Sequence, residues 1–249
     1  GLSRYIQWAG HDFSQQKRED YAFFSSISFD LTLTSIFTPL VLGGTVQVYP
    51  ERATPDLAVL DVFAQDCVDV VKLTPSHLAL VCKEGKPVTR IRTLVLGGEN
   101  LTTQLCKTAL RVLSPDLTLI NEYGPTEAVV GAMQHRFDPA CDLAASVPVG
   151  QPADGMQISI RDSAVNMCPK AVTGEIVIKG RLAQGYVNQD SDAFLRDPLD
   201  KDHHIYRTGD LGRLRTDGTF DYLGRADQQI KVGGVRVETA EIEYAARTC

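Results

Sequence analysis

Residues 117–127 have the sequence LTLINEYGPTE, in which an apolar run is followed directly by a glycine–proline turn and two polar side chains. The run at residues 117–120 predicts a buried strand. Gly124 allows the backbone to approach a ligand closely, Thr126 offers a hydroxyl to a phosphate oxygen, and Glu127 can hold a cation between phosphates. A plain turn capped by Thr126 would explain the glycine and proline alone, so the stretch predicts a phosphate site at a strand end.

Strands and helices alternate around this stretch, from Tyr21 to about Gly150. Buried strands are predicted at residues 45–49, 68–72, 93–96 and 117–120, and helices at residues 57–67, 75–84 and 102–113. This alternation predicts a parallel sheet with flanking helices, in which ligands bind at the carboxyl ends of the strands.

After Gly150 the pattern changes to pairs of strands separated by turn residues. Strands are predicted at residues 156–161, 174–179, 211–215 and 219–222, and the sequence Thr216-Asp217-Gly218 indicates a tight hairpin. Residues 229–232 and 234–237 predict one more hairpin before a final helix. We therefore expect a partial α/β core subdomain at 1–150, a small antiparallel β subdomain at 151–226, and the start of a C-terminal α+β cap subdomain at 227–249.

The composition is that of a globular protein, with 43% hydrophobic and 22% charged residues among 249. This excludes disordered, collagen-like and coiled-coil classes. A net charge of −6 argues against general affinity for nucleic acid or membrane surfaces. The six cysteines lack metal-binding or redox spacing, which favours small buried thiols in a reducing compartment. No run has the length of a membrane span and no leader opens the chain, so we expect a cytoplasmic protein.

Four further motifs occur in a fixed order with residues 123–127. They are SFD at residues 28–30, GEIVIKGRLAQGY at 174–186, YRTGD at 206–210 and GRADQQIK at 224–231. Together the five motifs resemble the core motifs of the adenylate-forming superfamily, and more narrowly those of nonribosomal peptide synthetase adenylation domains. The resemblance covers essentially the whole chain.

The resemblance implies a two-step reaction. The carboxylate of an amino acid attacks the α-phosphorus of ATP, which expels magnesium pyrophosphate and leaves an aminoacyl adenylate; the acyl group then passes to a carrier-protein thiol. Thr126 and Glu127 are the implied catalytic residues, with Glu127 as the ligand of Mg²⁺. The implied partners are peptidyl carrier domains bearing phosphopantetheine, and condensation domains. Catalysis would depend on positioning and charge neutralisation, without a protein nucleophile.

The resemblance also implies an ATP site. Asp210, after a strand and a turn, would accept both ribose hydroxyls, which suits an ionised carboxylate. Tyr123 and Tyr222 would flank adenine. Without this context, Asp210 could cap a turn and Arg225 could be a surface charge. The residues expected to bind ATP or AMP are Gly98, Glu99, Asn121, Tyr123, Gly124, Thr126, Asp210, Tyr222 and Arg225.

A hinge is implied at Asp227, about which the C-terminal subdomain would swing between the two half-reactions. Lys231 and the pair Gly233-Gly234 would belong to the loop that meets the pantetheine arm. Glycines absorb the dihedral changes of such a movement without steric cost.

The substrate pocket follows from the same motifs. Asp30 resembles the acid that pairs with the substrate ammonium, which favours an α-amino acid over a fatty or aryl acid. The remaining wall positions are Leu31, Thr34, Lys72, Val95, Gly97, Glu122, Val130 and Gly131.

Lys72 and Glu122, the two charged residues among these remaining wall positions, decide which substrate side chain fits. The substrate's own carboxylate is left out of the count, because the family pairs it with a lysine beyond this chain's end. Asp30 and Glu122 are negative and Lys72 is positive, so a bound ammonium brings the total to zero and a carboxylate side chain would add an uncompensated charge. An amide lets Lys72 donate to its carbonyl while Glu122 accepts from its NH₂. We therefore expect asparagine, with aspartate as the alternative. A Lys72–Glu122 salt bridge without any ligand role is the structural alternative.

Two parts of the family pattern are missing from the sequence. No phosphate loop ending in lysine occurs before Ser28, and no lysine-bearing segment follows Glu243. Because the chain also begins at Gly1 and ends within a predicted helix, we expect a segment of a longer protein that does not adenylate by itself. A scaffold module without catalysis and an acyl-CoA ligase are the alternative functions; Asp30 argues against the ligase.

Overall fold

The first half of the molecule is a seven-stranded sheet in the order β2-β1-β3-β4-β5-β6-β7. The computed structural model describes residues 1–50, 57–188, 191–197, 200, 202–227, 230–232, 235–237 and 246. The strands are β1 Tyr21–Phe23, β2 Val46–Val48, β3 Val70–Leu73, β4 Thr93–Leu96, β5 Thr118–Tyr123, β6 Met133–Arg136 and β7 Gln151–Pro152. Strands β1 to β5 are parallel, and β6 and β7 extend the sheet antiparallel at one edge. The predicted α/β fold with a parallel sheet is confirmed.

Five helices flank this sheet in the described residues: α1 Leu2–Asp12, α2 Leu31–Leu42, α3 Ala58–Gln65, α4 Pro75–Glu84 and α5 Thr103–Val112. Successive side chains of a strand point to opposite faces. Val71 and Leu94 therefore pack in a core with α3, α4 and α5, while Val70 and Val95 pack in a second core with α1. Both faces of the sheet are covered. Among the described residues, no helix combines the length and the apolar character needed to cross a membrane.

Local signals explain where α4 begins and ends. The Thr74 hydroxyl accepts a hydrogen bond from the backbone N–H of His77 at 3.3 Å, Pro75 occupies the first helical position, and Gly85 ends the helix in the left-handed conformation. These are the preferred residues for a helix start and a helix end. The predicted bounds of this helix are confirmed.

The second half is an antiparallel sheet in the order β10-β11-β9-β8, with β12 also paired to β11. Its strands are β8 Gln157–Arg161, β9 Gly174–Gly180, β10 Phe194–Arg196, β11 His204–Leu214 and β12 Phe220–Arg225. The predicted strand at 211–215 is the second half of the longer β11, whose pairing with β9 shifts register between Arg207 and Leu211. A separate hairpin joins β13 Ile230–Val232 to β14 Val235–Val237. Gly233, Gly234 and most of the expected cap subdomain lie outside the described residues.

The two sheets meet next to the end of β5. The backbone N–H of Val149 donates to the carbonyl of Phe220 at 2.9 Å, and the N–H of Phe220 donates to the carbonyl of Gly150 at 2.8 Å. A shared hydrophobic cluster includes Tyr123 from the first sheet and Tyr206 from the second. The motif at residues 123–127 is thus held against β11.

The cysteines are less buried than expected. Cys106 is buried, Cys67, Cys82 and Cys168 are half-buried, and Cys141 is exposed. Cys141 lies in a connecting loop, where no core surrounds it. Cys249 lies outside the described residues.

Candidate active site

Asp210 lies at the centre of the junction between the two sheets. Its Oδ2 accepts a 2.5 Å hydrogen bond from the Tyr123 hydroxyl, and its Oδ1 accepts one from Nη1 of Arg225 at 3.0 Å. It is a residue of β11 and not, as predicted, one that follows a strand and a turn, because β11 continues past its register shift. The carboxylate is 3% exposed and is held by charged and neutral donors together.

Burial, reinforced by the charge of Asp210, raises the pKa of Tyr123 well above its usual value. The phenol therefore stays protonated and acts as a donor at neutral pH. The hydrogen bond that Arg225 donates to Asp227 raises the pKa of Arg225 above its ordinary value, and the negative charge of Asp210 raises it as well. Arg225 is a permanent cation between two carboxylates.

A cavity of about 490 Å³ opens beside this group. It contains seven of the nine residues predicted to bind ATP: Gly98, Glu99, Asn121, Tyr123, Gly124, Tyr222 and Arg225. The rings of Tyr123 and Tyr222 have centroids 6.0 Å apart and planes inclined by 38°. Two aromatic side chains at one wall form a surface on which a planar ring can stack.

Hydrogen bonds fix two other residues that line this cavity, Glu99 and Asn121. Oε2 of Glu99 accepts from the backbone N–H of Ser76 at 2.9 Å and from its hydroxyl at 2.6 Å. Nδ2 of Asn121 donates to the carbonyls of Val147 and Pro148 at 3.2 and 2.9 Å. Both side chains hold neighbouring segments in place through these bonds. Their role in ligand binding would therefore be to fix the shape of the cavity.

A second cavity, of about 370 Å³, adjoins the first. Its lining includes six of the nine predicted substrate positions: Asp30, Leu31, Lys72, Gly97, Glu122 and Val130. Thr126 and Asp210, the other two predicted ATP residues, also line it. The two cavities share Gly98, Glu122, Gly124 and Arg225, so ligands in them would touch.

Asp30 lines this second cavity from the N-terminal cap of α2. Its Oδ2 is buried and makes no hydrogen bond within the described part of the chain. A buried carboxylate oxygen without a partner is costly, and a cationic or donating ligand group would satisfy it.

Lys72 and Glu122 form an ion pair at the cavity floor. Nζ of Lys72 lies 2.5 Å from Oε2 of Glu122, and the two side chains are 2% and 3% exposed. Nζ also donates to the Thr34 hydroxyl at 2.7 Å and to the Tyr5 hydroxyl at 3.0 Å. Sequence reasoning missed Tyr5, although Leu2, Tyr5, Ile6 and Ala9 follow the helical spacing that could have revealed α1.

The other three predicted wall residues lie behind the cavity surface. Thr34 bonds to Lys72, and Val95 packs in the core beneath. A Cβ atom at Gly131 would lie 2.4 Å from Oε1 of Glu122, so only glycine leaves room for that carboxylate. These residues shape the floor without being part of its accessible surface.

Thr126 and Glu127 begin a short 3₁₀ turn, Thr126–Ala128. Thr126 is exposed at the second cavity. Glu127 is buried, accepts a hydrogen bond from the Tyr186 hydroxyl, and lines neither cavity. In the described part of the chain no three acidic, histidine or cysteine side chains gather into a metal site. A single carboxylate still fits Mg²⁺, which takes most of its ligands from water and phosphate.

Asp227, the predicted hinge, accepts a 2.8 Å hydrogen bond from Nε of Arg225 and a second from its Nη2. Lys231 lies in β13, at the edge of the described residues. The hinge and the pantetheine loop remain predictions.

Comparison with known proteins identifies the class to which this fold and site belong. A family model described as "AMP-binding enzyme" matches residues 2–187. The chain belongs to this family, and the predicted resemblance to nonribosomal peptide synthetase adenylation domains is confirmed.

Particular relatives define the match more closely. Bacitracin synthase 3 of Bacillus licheniformis is 42% identical over 248 residues, which are 98% of this chain and 4% of that protein. The adenylation domain AlmE of Vibrio cholerae, solved with glycyl-adenosine-5'-phosphate, superposes with a TM-score of 0.86 at 26% identity, over 99% of this chain and 48% of that one. PA1221, a protein with adenylation and PCP domains, matches with a TM-score of 0.84 at 25% identity over 99% and 51%. The chain thus spans about half of these solved chains and a small part of the synthase.

Proposed function

We propose that this chain supplies the nucleotide and substrate sites of an adenylation domain, which joins an amino acid to AMP at the expense of ATP. The observation that carries the proposal is the pair of adjoining cavities, one with two tyrosine rings and one with the unpartnered Asp30 oxygen. An aminoacyl adenylate has an adenosine and an amino-acid part joined at one phosphate. Its two parts fit two cavities that share a wall.

The chain's own residues account for binding and orientation. Asp210 would accept the ribose hydroxyls, since carboxylate oxygens retain lone pairs beyond the bonds from Tyr123 and Arg225. Arg225 forms an ion pair with that carboxylate at 3.0 Å, and Thr126 is exposed at the second cavity. Bound at Glu127, Mg²⁺ would neutralise charge on the phosphate oxygens. The rate would come from alignment of the substrate carboxylate with the phosphorus.

We infer further that the amino acid is asparagine. Asp30 and Glu122 carry two negative charges and Lys72 one positive charge, so the substrate ammonium restores neutrality when the reacting carboxylate of the substrate is left out of the count. Each Glu122 oxygen accepts one bond within the protein, so each has a lone pair for the amide NH₂. Nζ of Lys72 makes three contacts within the protein, and the one to the Tyr5 hydroxyl is the longest. The amide carbonyl of the substrate would share the proton of that bond.

The test is ATP–pyrophosphate exchange with all twenty amino acids, run on the natural protein that carries this chain. We expect asparagine to be preferred, and Glu122→His to move the preference toward aspartate by exchanging an acceptor for a donor. Glu84→His, at the exposed end of α4, is the matched control and should change nothing. An asparagine preference that survives Glu122→His would overturn the pocket assignment.

Two other functions are separated by the same assay. An acyl-CoA ligase would exchange pyrophosphate with a fatty or aryl acid and would not need Asp30, whereas Asp30→Ala should abolish exchange in an amino-acid enzyme. A scaffold module would show no exchange with any acid. The unpartnered Asp30 oxygen favours the amino-acid enzyme over both.

The proposal extends to partners and location. PA1221, which contains adenylation and PCP domains, supports transfer of the acyl group to a carrier domain. We propose a phosphopantetheine thiol on that domain as the acceptor, and a condensation domain as a further partner. Five cysteines are free thiols, as is usual in the reducing cytoplasm where ATP is abundant. Mixing the enzyme with ATP, Mg²⁺, a holo carrier protein and radiolabelled asparagine should label the carrier, and omission of ATP should prevent the labelling.

A further inference from the structure

Tyr5 contacts three polar side chains beneath the substrate cavity without lining it. Its hydroxyl lies 2.7 Å from Oε1 of Glu122, 2.5 Å from Oγ1 of Thr34 and 3.0 Å from Nζ of Lys72. The side chain is 3% exposed and its ring packs against Trp8 with centroids 5.8 Å apart. A polar group this deep in an apolar helix–sheet core needs its partners.

Only one arrangement of protons satisfies these contacts with an ionised Glu122. The carboxylate accepts, so the single Tyr5 proton must be directed at Oε1. Thr34 then donates to the Tyr5 oxygen and accepts from Lys72, and the two remaining Lys72 protons point at Glu122 and Tyr5. Every donor in the group has an acceptor.

Tyr5 also keeps its proton over the whole physiological range. Burial and the charge of Glu122 raise the pKa of Tyr5 well above its usual value. The phenol is therefore a permanent neutral donor to the carboxylate. Nζ of Lys72 lies 5.5 Å from the centroid of its ring, a distance at which a cation is attracted to an aromatic face.

We propose that Tyr5 is a positioning residue for substrate selection: its hydroxyl orients the Glu122 carboxylate at the cavity floor, and the negative charge placed there rejects acidic side chains. The inference rests on the proposed function and deepens it. With Glu122 ionised, a bound aspartate would leave one negative charge unbalanced at the cavity floor. With a neutral glutamine in place of Glu122, the same count would favour aspartate and disfavour a neutral amide.

The test variant is Tyr5→Phe, which keeps the ring and removes the donor. We expect the ratio of kcat/KM for asparagine to that for aspartate to fall about tenfold to a hundredfold, the range that corresponds to one hydrogen bond to a charged group. The matched control is Tyr21→Phe. Tyr21 is a fully buried tyrosine of the same core whose hydroxyl bonds to Ser14 at 2.6 Å, away from the cavity. In Tyr21→Phe, the ratio of kcat/KM for asparagine to that for aspartate should stay within about twofold of the wild-type ratio, since the substitution does not touch the cavity.

A double-mutant cycle separates positioning from packing. In a Glu122→Gln background there is no anion to hold, so adding Tyr5→Phe should leave the ratio unchanged. Equal effects in both backgrounds, or an equal fall in Tyr21→Phe, would overturn the proposal. Should Tyr5→Phe not fold, Tyr5→Met serves instead: it removes the donor and fills the space of the ring with a flexible apolar side chain, so the ratio should fall as for Tyr5→Phe, and an unchanged ratio would contradict the inference.

The assay uses the natural protein and all twenty amino acids, so the two proposals fail differently. A wild-type preference for another amino acid would refute asparagine alone, and Tyr5 would then be judged by whether Tyr5→Phe alters the substrate profile more than Tyr21→Phe does. An unaltered profile overturns the role of Tyr5 whichever amino acid is preferred. No exchange with any amino acid would overturn both.

Discussion

The Tyr123 hydroxyl donates a 2.5 Å hydrogen bond to Oδ2 of Asp210 and so joins the last parallel strand of the first sheet to the long strand of the second. The two residues are 87 positions apart in the chain. Because Arg225 occupies the other carboxylate oxygen, Asp210 is fixed in orientation as well as in charge. The junction of the sheets and the proposed ribose site are therefore one structure.

Asp210→Asn should weaken ATP binding. The amide loses the charge and turns a donor toward either Tyr123 or Arg225, so we expect the KM for ATP to rise about tenfold to a hundredfold. The effect on kcat should be smaller, since ribose contacts are made in the ground state and the transition state alike. The measurement is pyrophosphate exchange at varied ATP.

The control for this substitution is Asp221→Asn on β12. Asp221 pairs with Nε of Arg213 at 2.8 Å, and that arginine is 47% exposed, so the pair contributes little. An equal rise in KM for both variants would mean that Asp210 acts through the stability of the β subdomain and not through the nucleotide.

Lys72→Met should destabilise the fold more than replacement of both members of the pair. Removal of one partner leaves the Glu122 charge buried, which costs about 3–5 kcal/mol. In the double variant Lys72→Met with Glu122→Leu, no charge is left, and Tyr5 and Thr34 still bond to each other at 2.5 Å. Urea unfolding at neutral pH measures both. If the loss in free energy of unfolding of the double variant equalled the sum of the losses in the two single variants, Lys72 and Glu122 would not be coupled.

Much of the fold follows from local signals in the sequence. Helix α4 has a threonine cap, a proline at its first turn and a glycine at its end, and both its bounds were predicted. Helix α2 was not predicted, because its threonines and Pro39 are poor helix formers. It forms because packing of the helix on α1 and the sheet, with Leu33 against the second core, outweighs that propensity.

The candidate site was predictable only in part, for a similar reason. The motif order indicated that Tyr123 and Asp210 would meet, and both line the adjoining cavities. The bond between Tyr5 and Glu122 spans 117 positions, and no local pattern marks it. The direct Lys72–Glu122 ion pair was expected from the sequence only as the structural alternative, since charge counting does not give distances.

Asp66→Asn should lower stability at neutral pH, but not in acid. Asp66 lies at the left-handed end of α3, where its carboxylate accepts the N–H groups of Thr89, Arg90 and Ile91 at 2.6, 3.1 and 3.0 Å. Burial opposes ionisation, yet these donors outweigh it and lower the pKa of Asp66. Asparagine tolerates the backbone conformation but lacks the charge, so we expect a loss of about 1–2 kcal/mol at pH 7.

The sign of the pH dependence follows from the lowered pKa. The contribution of Asp66 is fully present above the unfolded-state value of about 3.9 and disappears as the pH falls through the lower folded-state value. Urea unfolding of both proteins from pH 7 downward should therefore show curves that converge in acid. Asp116→Asn, at an exposed loop position, is the control. A difference that stays constant down to pH 3 would contradict the assignment.

Gly124→Ala should abolish most of the activity while leaving the fold largely intact. A Cβ atom there would lie 2.6 Å from Cα of Gly131 and 2.6 Å from the carbonyl oxygen of Val130. Both are backbone atoms, and Val130 is already held at a φ of 77°, so the segment cannot yield by rotating a side chain. The displaced backbone forms a wall of both cavities, and an error of about 1 Å at such a wall can cost about a hundredfold in rate.

The matched control is Gly85→Ala at the end of α4. Gly85 has a φ of 67°, and no atom lies within 4 Å of the position that a Cβ atom would take there, so alanine is strained without meeting a neighbour. We expect it to cost about 1 kcal/mol of stability with unchanged pyrophosphate exchange. Circular dichroism and thermal unfolding of both variants separate the two effects. If Gly124→Ala kept wild-type exchange, the close approach of residues 124 and 131 would not be needed to shape the cavities, and the contact would serve packing alone.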